Sequence, residues 1–167
     1  MRDLGVALSS IRAGTSSTGW RNTVLHEFGH TFGGLWDEYW NGLTFSNNYP
    51  NVTNNSNTTT GKWSHWVGKQ NVDVFPFAAT ESDGNPNQAT NPWFRPHQSC
   101  RMRSSSNASF CAVCQQTLIA KMSTATGITA YTTTPLSGDA IRIDSFNIAY
   151  TGSLVIPTYL NGRTVTW

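Results

Sequence analysis

Charge is scarce in this chain. Eleven Lys and Arg and nine Asp and Glu make up 12 % of its 167 residues, with a formal net charge of +2. No basic run occurs, so nothing points to nucleic acid or a membrane surface as partner. Long apolar runs are missing too. None approaches the roughly eighteen residues a spanning helix needs, and membrane insertion is not expected. Cysteine stops at three, too few for a zinc site made only of sulfur. Lys and Glu give way to Asn, Thr, Ser and Trp, a mixture common in secreted proteins. Aromatic residues are plentiful: they form 12 % of the chain and include seven Trp, and 38 % of all residues are apolar. That suffices for one compact domain with part of a second.

Against this background, the stretch Val24 to Trp40, VLHEFGHTFGGLWDEYW, concentrates chemistry. His26, Glu27 and His30 have the spacing H-E-x-x-H. On a helix, residues four apart share a face, so both imidazoles can converge on one ion. Glu27 follows His26 directly, where a carboxylate can take a proton from a metal-activated water. Val24, Leu25, Phe28 and Phe32 fill the other positions and predict a buried helix. Gly29 costs about 1 kcal/mol relative to Ala within a helix, which a close neighbour would explain. Gly33 and Gly34 form a helix stop, with glycine accepting the left-handed conformation at C′. The chain can then double back to bring a third ligand under the ion. Asp37 is the preferred carboxylate. Glu38 is either the alternative ligand or a partner behind it.

The remaining segments are read more coarsely. Residues 1–20 leave room for at most one strand or helical turn at Leu4 to Ile11, followed by a cap at Ser17 or Thr18. The domain is therefore expected to be N-terminally incomplete. Residues 41–62 read as loop. Asn51, Asn54, Asn57 and Asn107 each open an N-glycosylation pattern, a weak match in so Asn-rich a sequence. Residues 63–98 carry aromatics between turns, with one short strand near Val72 to Phe77. His65 and His97 are isolated and read as ordinary surface or core histidines. Ser109 to Thr126 has helical spacing in Phe110, Val113, Cys114, Leu118, Ile119 and Met122, with Asn107 or Ser109 as cap and Gly127 after its end. One disulfide from Cys100 to Cys111 or Cys114 is expected, leaving one buried thiol and implying an oxidising compartment. After Gly127 come short strands and hairpins: Ile141 to Tyr150 with a register change near Ser145, then Leu154-Val-Ile156 and Thr164-Val-Thr166, with Pro157 and Asn161-Gly162 as turns.

The run His26-Glu-Phe-Gly-His-Thr-Phe-Gly-Gly-Leu-Trp-Asp-Glu-Tyr39 resembles the active-site signature of the IgA-peptidase family of zinc metallopeptidases, of the zincin-like fold group. Later blocks resemble that family in the same order: Tyr49-Pro-Asn-Val-Thr53, Lys62-Trp63, Phe94-Arg-Pro96, Cys100-Arg-Met102-Arg103 and Phe110-Cys-Ala-Val-Cys114. The resemblance covers roughly residues 20–125 and is more specific than H-E-x-x-H alone. It implies a secreted zinc endopeptidase with His26 and His30 as ligands, Glu27 as general base and Met102 in an apolar turn beneath the metal. Phe94 stands where a tyrosine is expected, and the carboxylate lies eleven residues after His26.

The expected fold is α+β: a zincin-like catalytic domain over residues 1–127 with an active-site helix and a second, C-terminal helix. A β-rich segment over 128–167 would be the start of a truncated β-sandwich. The expected activity is zinc-dependent hydrolysis of peptide bonds in a protein or peptide substrate by a monomer. Its place would be outside the cell, at the cell surface or in the periplasm. Arg95 or Arg101 is a candidate for assisting the oxyanion, and hydrolysis of a non-peptide amide is a further option. The alternative is a catalytically impaired, zincin-like binding module of a larger secreted protein.

Overall fold

The computed structural model describes residues 17–42, 49–126, 131–136, 140–146, 159–160 and 163–166. The chain is an α+β protein that divides into two compact units, Met1–Leu118 and Ile119–Trp167.

In the first unit, helix α1 spans Ser17–Thr31. The expected strand or turn at Leu4 to Ile11 and the side chains of Ser17 and Thr18 lie outside the described residues. The glycine pair ends α1 as expected. Gly34 adopts a φ of +63°, open to glycine at little cost. Its N–H donates to the His30 carbonyl at 3.1 Å, and the Leu35 N–H reaches the Gly29 carbonyl at 3.0 Å. These bonds occupy the last helical carbonyls and turn the chain back along α1.

The helix is less buried than its apolar residues predict. Leu25 is 43 % exposed, and Val24, Phe28 and Phe32 are only partly covered. Packing concentrates on the face that carries His26 and Gly29. A Cβ on Gly29 would lie 2.5 Å from Met102 Sδ and 3.0 Å from a Phe110 ring carbon. The glycine is thus explained by the close approach of Met102, itself fully buried.

The aromatic segment after residue 48 folds around Val52, Phe77 and Trp93, with Trp36, Trp40 and Tyr49 packed against them. Strand β1, Phe75–Pro76, falls inside the expected stretch and pairs antiparallel with β2, Phe94–Arg95. Thr53 extends this small sheet through a bridge to Phe94. A short 3-10 turn covers Ser64–Trp66.

Helix α2 spans Ala112–Thr126, and the boundary between the units falls within it. It begins three residues later than its spacing suggests, because the preceding backbone is engaged elsewhere. The Ser109 carbonyl accepts from Arg101 N–H at 2.8 Å, and Cys111 N–H donates to Cys100 Sγ at 3.3 Å. Neither Asn107 nor Ser109 caps the helix. Asn107 Nδ2 donates to the Cys100 carbonyl, and the Cys111 carbonyl accepts the first helical bond, from Gln115. Val113, Cys114 and Leu118 are buried, whereas Ile119 and Met122 are 58 % and 44 % exposed.

The described residues of the second unit include β3 (Tyr131–Leu136), β4 (Ala140–Phe146), β5 (Tyr159–Leu160) and β6 (Arg163–Thr166), which form one sheet in the order β3-β4-β6-β5. Strands β3 and β4 run antiparallel, β4 and β6 parallel, and β5 and β6 antiparallel. The expected register change is present: Thr132 pairs with Ser145 but Thr133 with Ile143, so Asp144 is skipped as a bulge. Gly127, Ile148, Tyr150, residues 154–157 and the Asn161-Gly162 connection lie outside the described residues. No helix among the described residues is long and apolar enough to cross a membrane.

Candidate metal centre

The reversal after α1 brings Asp37 beneath the two histidines. Asp37 Oδ1 lies 3.2 Å from His26 Nε2 and 3.0 Å from His30 Nε2, and the two Nε2 atoms are 3.1 Å apart. The other nitrogen of each ring faces a backbone carbonyl. His26 Nδ1 donates to Arg101 O at 2.9 Å, and His30 Nδ1 donates to Leu35 O at 2.9 Å. A carbonyl only accepts, so the proton of each neutral imidazole belongs on Nδ1 and the Nε2 lone pair faces inward. Two lone pairs and a carboxylate oxygen therefore meet at one point. Tetrahedral zinc with ligands at about 2.0–2.1 Å sets its donor atoms about 3.3 Å apart. The triangle found here matches that spacing closely, and its donor set is one that zinc favours.

The supporting contacts are equally specific. Asn41 Nδ2 donates to Asp37 Oδ2 at 3.1 Å, which leaves Oδ1 aimed at the rings. Asn51, fully buried, brackets Trp36: its Oδ1 accepts from Trp36 N–H at 2.8 Å and its Nδ2 donates to Trp36 O at 2.7 Å. Glu38 N–H donates to Met102 O at 2.8 Å. The turn and the Met102 loop are thus joined to each other, and each also holds one histidine ring.

The electrostatics favour positive charge at this point. Burial pushes the His26 imidazole down, but the Asp37 hydrogen bond, the Arg101 carbonyl and the charges of Asp37 and Glu27 together raise it. Burial pushes Asp37 up, but the hydrogen bonds that His26 and His30 make to it when protonated outweigh this and hold it well below the usual carboxylate range. Glu27 follows His26 on α1 and is partly buried.

Glu38 goes elsewhere. Its carboxylate lies among Cys100, Cys111 and Cys114, so it is not the alternative to Asp37 beside the imidazoles. The expected disulfide is not formed here. All three cysteines are free, and Cys100 Sγ and Cys114 Sγ are 3.7 Å apart, against about 2.05 Å for a bond. The described residues thus hold two buried groups able to take a metal, His26–His30–Asp37 and Glu38–Cys100–Cys111–Cys114.

Neither arginine serves as a free oxyanion helper. Arg95 is fully buried, donating to Glu38 O at 3.0 Å, to Gln98 Oε1 at 3.0 Å and to Glu81. Arg101 is 4 % exposed and donates to Asn22 Oδ1 at 3.0 Å, to Ser105 O at 3.3 Å and to Ala108 O, tying the Met102 loop to α1. His65 pairs with Gln116, and His97 Nδ1 accepts from Ser99 N–H, so neither joins a metal-capable group. Asn51 is too buried to accept a glycan, whereas Asn54 and Asn57 are exposed. The positioning roles of Asn41 and Asn51 escaped sequence reasoning.

No family model matches this chain, and no curated protein matches it.

Proposed function

We propose that this chain is a zinc-dependent endopeptidase of the zincin-like type, as its resemblance to the IgA-peptidase family implies. One observation carries the reading. Two imidazoles, each locked by a backbone carbonyl, and one carboxylate turn their acceptor atoms to a common point with separations of 3.0 to 3.2 Å. With both imidazoles neutral, three acceptors at that distance repel one another unless a metal ion or a proton lies between them.

His26, His30 and Asp37 would hold the ion, with Asn41 orienting the carboxylate. Zinc in such a site supplies a Lewis acid for the scissile carbonyl and brings the pKa of water down to about 7. Glu27, next to His26 on α1, takes the water proton and delivers it to the leaving amine. Met102 underlies the helix at Gly29 and keeps that side of the site apolar.

The test is Glu27→Gln assayed for zinc content and for casein cleavage. Retained zinc with cleavage lowered about 10²- to 10⁴-fold, the range of general base catalysis, supports the assignment. Retained zinc with native cleavage would refute the mechanism. Wild-type protein that binds zinc but cleaves neither casein nor small amides would favour a binding module.

A further inference from the structure

The second buried group is not used by the peptidase reading, and its geometry has features of its own. Cys111 ends the loop before α2, Cys114 lies in the first turn of that helix, and Cys100 enters from the Met102 loop. Glu38 enters from the turn below α1. One donor atom from each lies within 4.8 Å of the others, and all four residues are buried. Cys100 Sγ is 3.7 Å from Cys114 Sγ. Glu38 Oε1 is 3.2 Å from Cys114 Sγ and 4.0 Å from Cys111 Sγ. Zinc–sulfur bonds of about 2.3 Å in a tetrahedron set sulfurs about 3.8 Å apart, and a sulfur and an oxygen about 3.5 Å apart. The observed sulfur–sulfur distance lies close to the first value, and the two sulfur–oxygen distances fall on either side of the second.

Two further observations point to a cation. The N–H groups of Met102 and Cys111 both approach Cys100 Sγ, at 3.5 and 3.3 Å. Backbone donors aimed at a sulfur stabilise the charge of a thiolate ligand. Glu38 is fully buried, yet its Oε2 has no hydrogen-bond partner among the described residues. A buried carboxylate oxygen without a donor is costly, and a metal would satisfy it. A disulfide between two of the sulfurs would leave that oxygen as it is.

We propose that Cys100, Cys111, Cys114 and Glu38 form a second metal centre, structural and closed, that takes a thiophilic divalent cation such as zinc. Four protein ligands leave no position for substrate, as is usual for structural zinc. The ion would clip the Met102 loop, the start of α2 and the Asp37–Glu38 turn together. Each of the first and third elements also carries a group that positions the His26–His30–Asp37 site. The thiol protons would leave to solvent on binding.

The test uses the whole chain, purified under reducing, anaerobic conditions and loaded with Co2+. Wild type should take up about two ions and show the near-ultraviolet charge-transfer band of thiolate bound to cobalt. His26→Ala/His30→Ala should fall to about one ion and keep that band. Its three thiols should react with a disulfide reagent only after a chelator is added. Cys111→Ser/Cys114→Ser should lose the band. If that variant does not fold, the band and thiol protection of the histidine variant decide the matter alone. No thiolate band in wild type, or a mass two hydrogens lower from a disulfide, overturns the proposal even if the histidine site binds metal. A thiolate band without the histidine-dependent ion would overturn the peptidase reading instead.

Discussion

Asp37 and Glu38 are consecutive, fully buried carboxylates that serve different neighbourhoods. Asp37 Oδ1 meets the imidazoles of His26 and His30, while Glu38 Oε1 lies 3.2 Å from Cys114 Sγ. Asn51 connects the two environments. It holds both backbone groups of Trp36 and donates to Glu38 Oε1 at 3.0 Å. The divergence makes the two residues separable by experiment. Asp37→Ala should abolish zinc retention at the histidine site. Glu38→Gln should leave the imidazole–carboxylate triangle with its ligands. Zinc retention by Asp37→Ala equal to wild type in a chelator competition would contradict the ligand assignment.

Asn41 acts on zinc through Asp37. Removing the hydrogen bond to Oδ2 frees the carboxylate to rotate, and losses of this kind weaken metal binding about 10- to 100-fold. Competition of Asn41→Ala against a chromophoric chelator measures it. An unchanged affinity would mean that backbone packing alone orients Asp37.

Asn51→Ala removes three hydrogen bonds, leaving the part-buried N–H and carbonyl of Trp36 without this partner and Glu38 Oε1 with the Cys114 thiol. Unsatisfied buried groups cost about 1–3 kcal/mol each, so a loss of about 3 kcal/mol or more is expected. Denaturant unfolding reads this directly. A change within about 0.5 kcal/mol, ordinary for surface substitutions, would show that the network is dispensable.

Gly29→Ala sets two effects against each other. Helix propensity favours Ala by about 1 kcal/mol. The new Cβ would press on Met102 Sδ at 2.5 Å, and overpacking costs about 1–3 kcal/mol. Net destabilisation by about 1 kcal/mol is expected, with relief when Met102→Ala is added. A thermal midpoint above wild type for Gly29→Ala would argue that Met102 does not press on the helix.

Asp83 gives a pH-dependent prediction. Arg103 binds it through two bonds, Nε to Oδ2 at 2.7 Å and Nη2 to Oδ1 at 2.9 Å. The Arg103 hydrogen bonds outweigh the opposing effect of burial and hold its pKa below the ordinary 3.8. A depressed folded pKa stabilises the fold above the unfolded value and stops doing so as pH falls through the folded value. Wild type should therefore exceed Asp83→Asn in stability by a constant margin down to about pH 4 to 5, with the margin closing at lower pH. Urea midpoints across pH 2 to 7 test it. A margin that grew on acidification would reverse the sign and exclude this pairing as its source.

Much of the site was legible in the linear sequence because it rests on local geometry. His26, Glu27 and His30 share a face through the 3.6-residue period alone. Gly34 ends α1 because only glycine enters the left-handed region at little cost. The bulge beside Ser145 followed from a break in alternation. Contacts between distant segments were decided by the tertiary structure. Nothing local aims Arg101 O and Leu35 O at the two Nδ1 atoms, turns Asp37 and Glu38 to opposite sides, or leaves Leu25 in solvent. Arg95 and Arg101 are candidates in the sequence for assisting the oxyanion, yet Arg95 donates to Glu38 O and Gln98 Oε1 and Arg101 to Asn22 Oδ1 and Ser105 O. Periodicity and backbone preference act over a few residues, and the sequence expresses them directly. Which acceptor meets which donor depends on how loops close across dozens of residues, and only the packed chain determines that.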